Sequence, residues 1–240
     1  MKIQSSKVNF QGNRLKYQKF DHIVRNVNNQ YPRISPYRVN MRFGNKFLPE
    51  RLANWIIRSG EIVDENRRKI SGRNYVDIIK NDINGVKQSH LGDCGESSAL
   101  TIASLIANGF KDFKIGLLLF DVEIRKKGQK EVISRRFYNT THECVVLDSA
   151  TSELSSDSIR KNKEAVVLDS WIGFCGNVQQ AFGKFQEVFM NGIRKTTDSN
   201  GYEYSYKPYV ELLDLKINVD DNLTKDFAKE YSGLVLKSSK

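Results

Sequence analysis

Three side chains in the sequence have the types and the spacing that nucleophilic chemistry needs, and Cys94 is the first of them. It lies within residues 92–96, among glycine and acidic residues, and an apolar run with helical spacing follows directly. A thiol at the N-terminus of a helix lies where unpaired backbone N–H groups stabilise its thiolate. We therefore predict that Cys94 is a nucleophile.

The other two side chains are His142 and Asp169, which flank predicted strands. His142 is predicted to open a strand after the polar residues 139–141, and Asp169 ends the apolar strand of residues 166–168. A nearby imidazole takes the proton of a thiol, and a carboxylate holds the imidazole in the required tautomer. This pattern predicts His142 as the base and Asp169 as the residue that orients it.

Acyl transfer also requires hydrogen-bond donors for the oxyanion that develops on the substrate. The backbone N–H of Cys94 is one candidate, and the side-chain amide of Gln88, six residues upstream, is the second. We expect His90 to be a loop residue and Glu96 to stabilise the start of the helix.

The remaining pattern predicts helices and an antiparallel sheet, which is an α+β layout. The cysteine helix, at about residues 96–108, is apolar on more than one side and is therefore expected to be buried. The other predicted helices span residues 49–58, 75–85, 177–190 and 223–231. Asn177 can cap the helix of residues 177–190. The predicted strands span residues 113–120, 131–137, 143–148, 165–169 and 209–217.

The composition limits the class of protein. The 240 residues suffice for one large domain, and the apolar fraction of 39% supports a packed core. No run of 18 or more apolar residues is present, so we expect no membrane span. Three widely spaced cysteines do not form a disulfide framework, which favours a reducing compartment and a cytoplasmic location in the producing cell. We expect Cys144 to be packed and Cys175 to be structural.

We expect neither a cofactor nor a metal. The metal alternative is a zinc site formed by His142 and Cys144 together with Cys94 and Asp169. A single His-x-Cys pair without any Cys-x-x-Cys pair makes this ligand pattern weak.

Positive charge is concentrated at the N-terminal end of the chain. The net charge is +10, and Met1 to Arg73 alone hold 16 Lys and Arg against 5 Asp and Glu. This imbalance predicts either an anionic partner, such as nucleic acid, acidic lipid or an acidic protein, or a solvated basic face.

Residues 1–39 are polar and contain two prolines, so we expect an irregular arm with at most short elements. We accordingly divide the chain into a basic extension, residues 1–45, and a single catalytic α+β domain, residues 46–240, with its core at about 86–192.

The order of the three residues, with the cysteine heading a buried helix and the histidine and aspartate on later strands, resembles that of papain-like and transglutaminase-like cysteine enzymes. The resemblance covers about residues 88–173. It implies Cys94 as nucleophile, His142 as base and Asp169 as orienting residue. The stretches that are similar to those of bacterial virulence effectors in this superfamily are residues 92–96, 142–146 and 167–173.

Details of the resemblance distinguish branches of the superfamily. The spacing from Gln88 to Cys94 matches the oxyanion glutamine of papain-like proteases. The sequence departs from papain at Gly95, where papain has an aromatic residue, and at Asp169, where papain has an asparagine. These departures concern which bond is cleaved and not which residue is the nucleophile.

The sequence therefore predicts thiol-dependent acyl transfer on an amide bond of a protein substrate. A protease or a glutamine deamidase is the first choice and a transglutaminase is the alternative, because the triad alone does not separate them. The resemblance to effectors implies a host protein as substrate and delivery into the cytoplasm of a host cell. The rival class is a non-enzymatic binding module in which the basic N-terminal region engages an anionic partner.

Overall fold

The computed structural model of the chain describes residues 10–36, 38–39, 49–68, 74–147, 165–197, 201–213 and 217–236. Its main helices are α1 (Phe10–Gln30), α2 (Glu50–Arg68), α3 (Tyr75–Ser89), α4 (Cys94–Ala107), α5 (Val178–Thr197) and α6 (Asp221–Glu230), and a 3-10 turn at Ser232–Leu234 follows α6. Its strands are β1 (Lys114–Lys126), β2 (Val132–Leu147), β3 (Val166–Asp169), β4 (Phe174–Asn177) and β5 (Tyr202–Leu213). The predicted α+β class is confirmed.

The five strands form one antiparallel sheet in the order β4-β3-β2-β1-β5. The sequence prediction of an antiparallel sheet is therefore confirmed. The strands that carry His142 and Asp169, β2 and β3, are direct neighbours in this sheet. Sheet pairing thus brings together two residues that are 27 positions apart in the chain.

The two faces of the sheet are covered by different helices. Successive residues of a strand point to opposite faces, so Val145 and Leu168 belong to the larger core, whereas Val146 and Val167 belong to the smaller one. The larger core includes apolar side chains of α1, α3, α4 and α6, and the smaller core includes those of α5. Burial of both faces explains why these strands are continuous apolar runs in the sequence.

Cys94 is the first residue of α4, and every residue of this helix from Glu96 to Ala107 is buried. Glu96 accepts a hydrogen bond from the backbone N–H of Asp93 at 2.8 Å, which satisfies a donor at the helix start. Arg67 donates two hydrogen bonds to the same carboxylate, at 2.8 and 2.9 Å. The predicted role of Glu96 is confirmed, and the first turn of α4 is held in place from two sides.

The N-terminal region differs most from the sequence prediction. In place of an irregular arm, residues Phe10–Gln30 form a 21-residue helix. Ile23, Val24 and Val27 are at most 2% exposed and pack in the larger core. These residues lie on one face of a helix, but polar neighbours make the stripe inconspicuous in the sequence. The expectation of an irregular arm is wrong for α1.

The strands predicted at residues 131–137 and 143–148 are joined in one 16-residue strand, β2. His142 therefore lies inside a strand and does not open one. The polar residues 139–141, which suggested a break, coincide with an irregularity in the pairing, because Leu118 of β1 pairs with His142 whereas Phe120 pairs with Tyr138. Extra residues in one strand bend it and redirect its side chains.

No helix among the described residues is long and apolar enough to cross a membrane. The boundary that we predict after residue 45 lies outside the described residues, and it stays a prediction.

Replacement of Ile23 by alanine tests whether α1 belongs to the core. We expect Ile23→Ala to lower the free energy of unfolding by about 2–5 kcal/mol, because a fully buried side chain is removed. The exposed neighbour His22 provides the control, and His22→Ala should cost at most about 0.5 kcal/mol. Urea denaturation measures both values, and equal costs would mean that α1 does not pack against α4.

Candidate active site

The register of the sheet places His142 and Asp169 next to each other. Val145 of β2 pairs with Leu168 of β3, so Asp169 comes opposite Cys144 when the register continues by one residue. Alternate residues of a strand share a face, and His142 and Asp169 are therefore a diagonal cross-strand pair. His142 Nε2 donates a hydrogen bond to Asp169 Oδ2, and both side chains are at most 2% exposed.

A turn directly after β3 fixes the carboxylate of Asp169. Its Oδ1 accepts hydrogen bonds from the backbone N–H groups of Trp171, at 3.0 Å, and Ile172, at 3.2 Å. Its Oδ2 faces His142. The carboxylate therefore cannot rotate without losing hydrogen bonds at both oxygens.

Aromatic rings hold the imidazole of His142 on two sides. The ring centroid of Trp171 lies 4.9 Å away, and that of Phe185 from α5 lies 5.1 Å away with its ring nearly edge-on. These rings exclude water from the imidazole and restrict its orientation.

The charge of Asp169 controls the ionisation of His142. Burial by itself lowers the pKa of His142, but the negative charge and the hydrogen bond of Asp169, with a smaller contribution from a hydrogen bond to Cys94, raise it above the usual 6.5. Because Nε2 donates to Asp169, Nδ1 is the ring nitrogen that remains for the thiol. The structure thus brings the three predicted residues together in the order thiol, imidazole, carboxylate.

A guanidinium group lies beside the first turn of α4. Arg67 Nη2 lies 3.4 Å from the position that a Cβ atom on Gly95 would occupy. The pKa of Arg67 is raised because its ion pair with Glu96 and the nearby Cys94 and Asp93 outweigh the opposing effect of burial. The first turn of α4, which begins at Cys94, therefore has a guanidinium group beside it as well as the imidazole of His142.

The N-terminal segment also holds the loop that precedes Cys94. The backbone N–H of Ile34 donates to the carbonyl of His90 at 2.9 Å, and the carbonyl of Ile34 accepts from the N–H of Gly92 at 3.2 Å. The hydroxyl of Ser35 donates to a carboxylate oxygen of Asp93. The segment that we predicted as part of an arm is thus a wall of the site.

Arg33 connects this segment to α4, which carries Cys94, and to the turn after β3, which follows Asp169. The sequence did not predict a role for Arg33. Its Nε donates to Ser97 Oγ of α4 at 2.8 Å, and its Nη2 donates to Ser170 Oγ, next to Asp169, at 2.9 Å. Burial lowers the pKa of Arg33 to about 10, although Asp169 and Glu96 oppose this effect. A lone arginine in a polar stretch carries no pattern that would reveal such contacts.

Gln88 and His90 lie near the end of α3. Gln88 is exposed in the last helical turn, and its predicted role as an oxyanion donor stays a prediction. His90 caps the helix in the left-handed conformation, with φ of 55°, and is exposed. The expectation that His90 is a loop residue is confirmed.

The other two cysteines pack as expected. Cys144 is fully buried on β2 beside the His142 site, and burial raises its pKa well above the usual value of 9.0. Cys175 of β4 is half-buried, and burial raises its pKa to about 12. As for the zinc alternative, the described residues contain no group of three or more histidine, cysteine and acidic side chains arranged to hold a metal ion.

A group of acidic side chains lies on the other side of β2 from His142. Burial, reinforced by Asp82 and Glu96, raises the pKa of Glu143 to about 7, and burial likewise raises the pKa of Asp82 to about 7. Glu143 Oε2 lies 3.8 Å from the position of a Cβ atom on Gly95, so this group borders the first turn of α4. The positive charge of Arg67 opposes the rise in the pKa of both Glu143 and Asp82.

No family model, curated protein or solved structure matches the chain. The resemblance to papain-like and transglutaminase-like enzymes therefore rests on the sequence motifs alone.

Substitution of Glu143 tests the electrostatics beside the site. Between pH 4.5 and about 7 the folded state retains a proton on Glu143 that the unfolded state has lost, so the free energy of unfolding falls as pH rises through this interval. We expect Glu143→Gln to reduce this fall by on the order of 2 kcal/mol. Chemical denaturation at several pH values measures it. The exposed Glu61→Gln should leave the pH dependence unchanged, and an unchanged fall in Glu143→Gln would contradict the prediction.

Proposed function

We propose that this chain is a cysteine-dependent enzyme that transfers the acyl group of an amide bond in a protein substrate. The observation that carries the proposal is the buried hydrogen bond between His142 and Asp169, with Cys94 of α4 as the next partner of the imidazole. A nucleophile, a base and an orienting carboxylate in this order can run both halves of an acyl transfer.

The chemistry follows from the roles of these groups. The thiol of Cys94 gives its proton to His142, and the sulfur forms a bond to the carbonyl carbon of the amide. When the tetrahedral intermediate collapses, the C–N bond breaks, His142 returns the proton to the leaving nitrogen, and a thioester remains. Water or an amine then attacks the thioester and gives a proton to His142. The C–S bond breaks, the acid or the new amide is released, and the proton returns from His142 to the sulfur of Cys94. The N–H groups at the start of α4, which lack intrahelical acceptors, are suited to stabilise the oxyanion.

A protease or a glutamine deamidase is our first assignment, and a transglutaminase is the alternative. The papain-like or transglutaminase-like identity of the fold belongs to this proposal, since only the α+β class and the antiparallel sheet are established. The choice of a host protein as substrate, and delivery into a host cell, are supported by the resemblance to effectors alone.

The rate at which Cys94 is alkylated tests the proposed pair of thiolate and imidazolium. We expect iodoacetamide to modify Cys94 rapidly below pH 7, and His142→Ala to slow this reaction by about 10- to 100-fold at pH 6, because the proton acceptor is lost. Mass spectrometry resolves the three cysteines. Cys144 and Cys175, whose pKa values are raised, serve as slow internal controls.

A second variant separates chemistry from folding, because His142→Ala leaves the buried Asp169 without its partner. Asp169→Asn keeps an oxygen for the N–H groups of Trp171 and Ile172 but removes the charge that stabilises the imidazolium. We expect about a 10-fold loss of the alkylation rate at pH 6. If Cys94 reacts no faster than an ordinary thiol and neither variant slows it, the proposal is wrong for the isolated chain.

The products distinguish the reactions. We expect incubation of a eukaryotic lysate with the wild type, but not with Cys94→Ser, to produce either new protein N-termini or glutamate in place of specific glutamines. Both changes are read by peptide mass spectrometry. Incorporation of an added primary amine would favour the transglutaminase. If Cys94→Ser retains the biological effect and binding weakens steeply with salt, the rival binding module is supported instead.

A further inference from the structure

A cavity of about 430 Å³ adjoins the triad, and its described lining carries positive charge without an acidic residue. One wall is the N-terminal segment with Arg33 and Arg38, and the opposite wall is the turn after β3 with Ser170 and Trp171. The volume is within the range of pockets that bind small groups. Two cations that face one cavity from a single segment point to an anionic occupant.

No carboxylate of the described residues contacts the guanidinium group of Arg33 directly, although Asp169 and Glu96 stabilise its charge from further away. A guanidinium group has five N–H donors. Four of them are used, by Ser97, Ser170, Asn28 and the carbonyl of Tyr31, and all four acceptors are neutral. The fifth, on Nη2, has no acceptor among the described residues. Burying a cation is unfavourable unless an anion pairs with it. No carboxylate of the described residues lies within 4.0 Å of the Arg33 guanidinium, so a bound anion would stabilise it.

Arg38 lies over the ring of Trp171, with its guanidinium carbon 5.6 Å from the ring centroid, and Nη1 donates to the carbonyl of the same residue. The ring of Trp171 also packs on the imidazole of His142. Trp171 is therefore shared between the cavity and the triad.

The cavity is close enough to the nucleophile for one substrate to reach both. Its lining includes Gly92, two residues before Cys94, and Ser170, the residue after Asp169. A peptide advances by about 3.3–3.6 Å per residue when it is extended. A side chain a few residues from an amide held at Cys94 can therefore enter the cavity.

We infer that this cavity is a specificity pocket for a carboxylate of the protein substrate, located within a few residues of the amide that reacts. This inference rests on the proposed function, because it assumes that the substrate amide approaches Cys94. A guanidinium N–H donates a charge-assisted hydrogen bond to a carboxylate. Arg33 retains one N–H for such a bond, and Arg38 adds a second positive charge to the same cavity. The carboxylate comes from an aspartate or glutamate side chain or from the C-terminus of a chain.

The test measures how well peptides protect Cys94 from iodoacetamide, with the modified fraction read by mass spectrometry. The probes are amidated heptapeptides of alanine with a central glutamine and one glutamate at each flanking position in turn. Each is compared with the peptide that has glutamine at that position. We expect at least one glutamate peptide to protect about 10-fold better than its glutamine counterpart, as one charge-assisted hydrogen bond predicts. A non-amidated all-alanine peptide with the central glutamine tests the C-terminal carboxylate.

Variants of Arg38 test whether the preference for glutamate peptides over glutamine peptides arises in the cavity. We expect Arg38→Gln to reduce the preference for glutamate to about 2-fold or less, and Arg38→Lys, which retains the charge, to keep most of it. Lys111→Gln removes one positive charge beyond the far end of α4, about 20 Å from Cys94, and should leave the preference unchanged. Far-UV circular dichroism checks that each variant folds.

The outcomes separate the two proposals. If no carboxylate peptide protects better than its neutral counterpart, or if Arg38→Gln and Lys111→Gln behave alike, the specificity pocket is refuted. The rate of Cys94 alkylation without peptide is a separate measurement, which tests the proposed chemistry. A slow rate combined with carboxylate-dependent protection would refute the proposed chemistry and leave the pocket supported.

Discussion

The buried pair of His142 and Asp169 is the interaction on which the arrangement of the site depends. Placing two charges in the interior is costly unless their remaining hydrogen-bonding groups are satisfied. Here the second carboxylate oxygen accepts two backbone N–H groups, and the rings of Trp171 and Phe185 enclose the imidazole. These contacts offset the unfavourable desolvation of the pair, and they form only in the register that pairs β2 with β3 in this way. The site therefore depends on the register of the sheet.

A second requirement is that α4 presents its first turn to this pair. The helix is anchored at its start by Glu96, Arg67 and the loop contacts of the N-terminal segment, and its buried body packs against β2 and β3. Arg33 links α4 to the turn after β3 through two serine hydroxyls. Cys94, His142 and Asp169, the residues of the proposed triad, therefore come from separate elements that one polar network joins. Precise placement of this kind is what acyl transfer demands.

Much of this architecture was predictable from residue types and periodicity. A cysteine before an apolar helical run, and apolar strands beside a histidine and an aspartate, indicate α4, β3 and the later half of β2. Two predictions failed for a common reason. The stripe of Ile23, Val24 and Val27 is short within a polar sequence, and the polar residues 139–141 resembled a loop. In both cases tertiary packing and sheet pairing outweighed the local composition.

By itself the sequence determined the chemical types at the site, the helix that begins at Cys94 and the strand that ends at Asp169, because these depend on local periodicity and capping. The tertiary structure alone decided that His142 meets Asp169 as a diagonal cross-strand pair, since register is a relation between distant segments. It also decided that a basic N-terminal segment forms a wall of the site and directs Arg33 and Arg38 into one cavity. Contacts of this kind arise only when a chain closes on itself, and no local pattern encodes them.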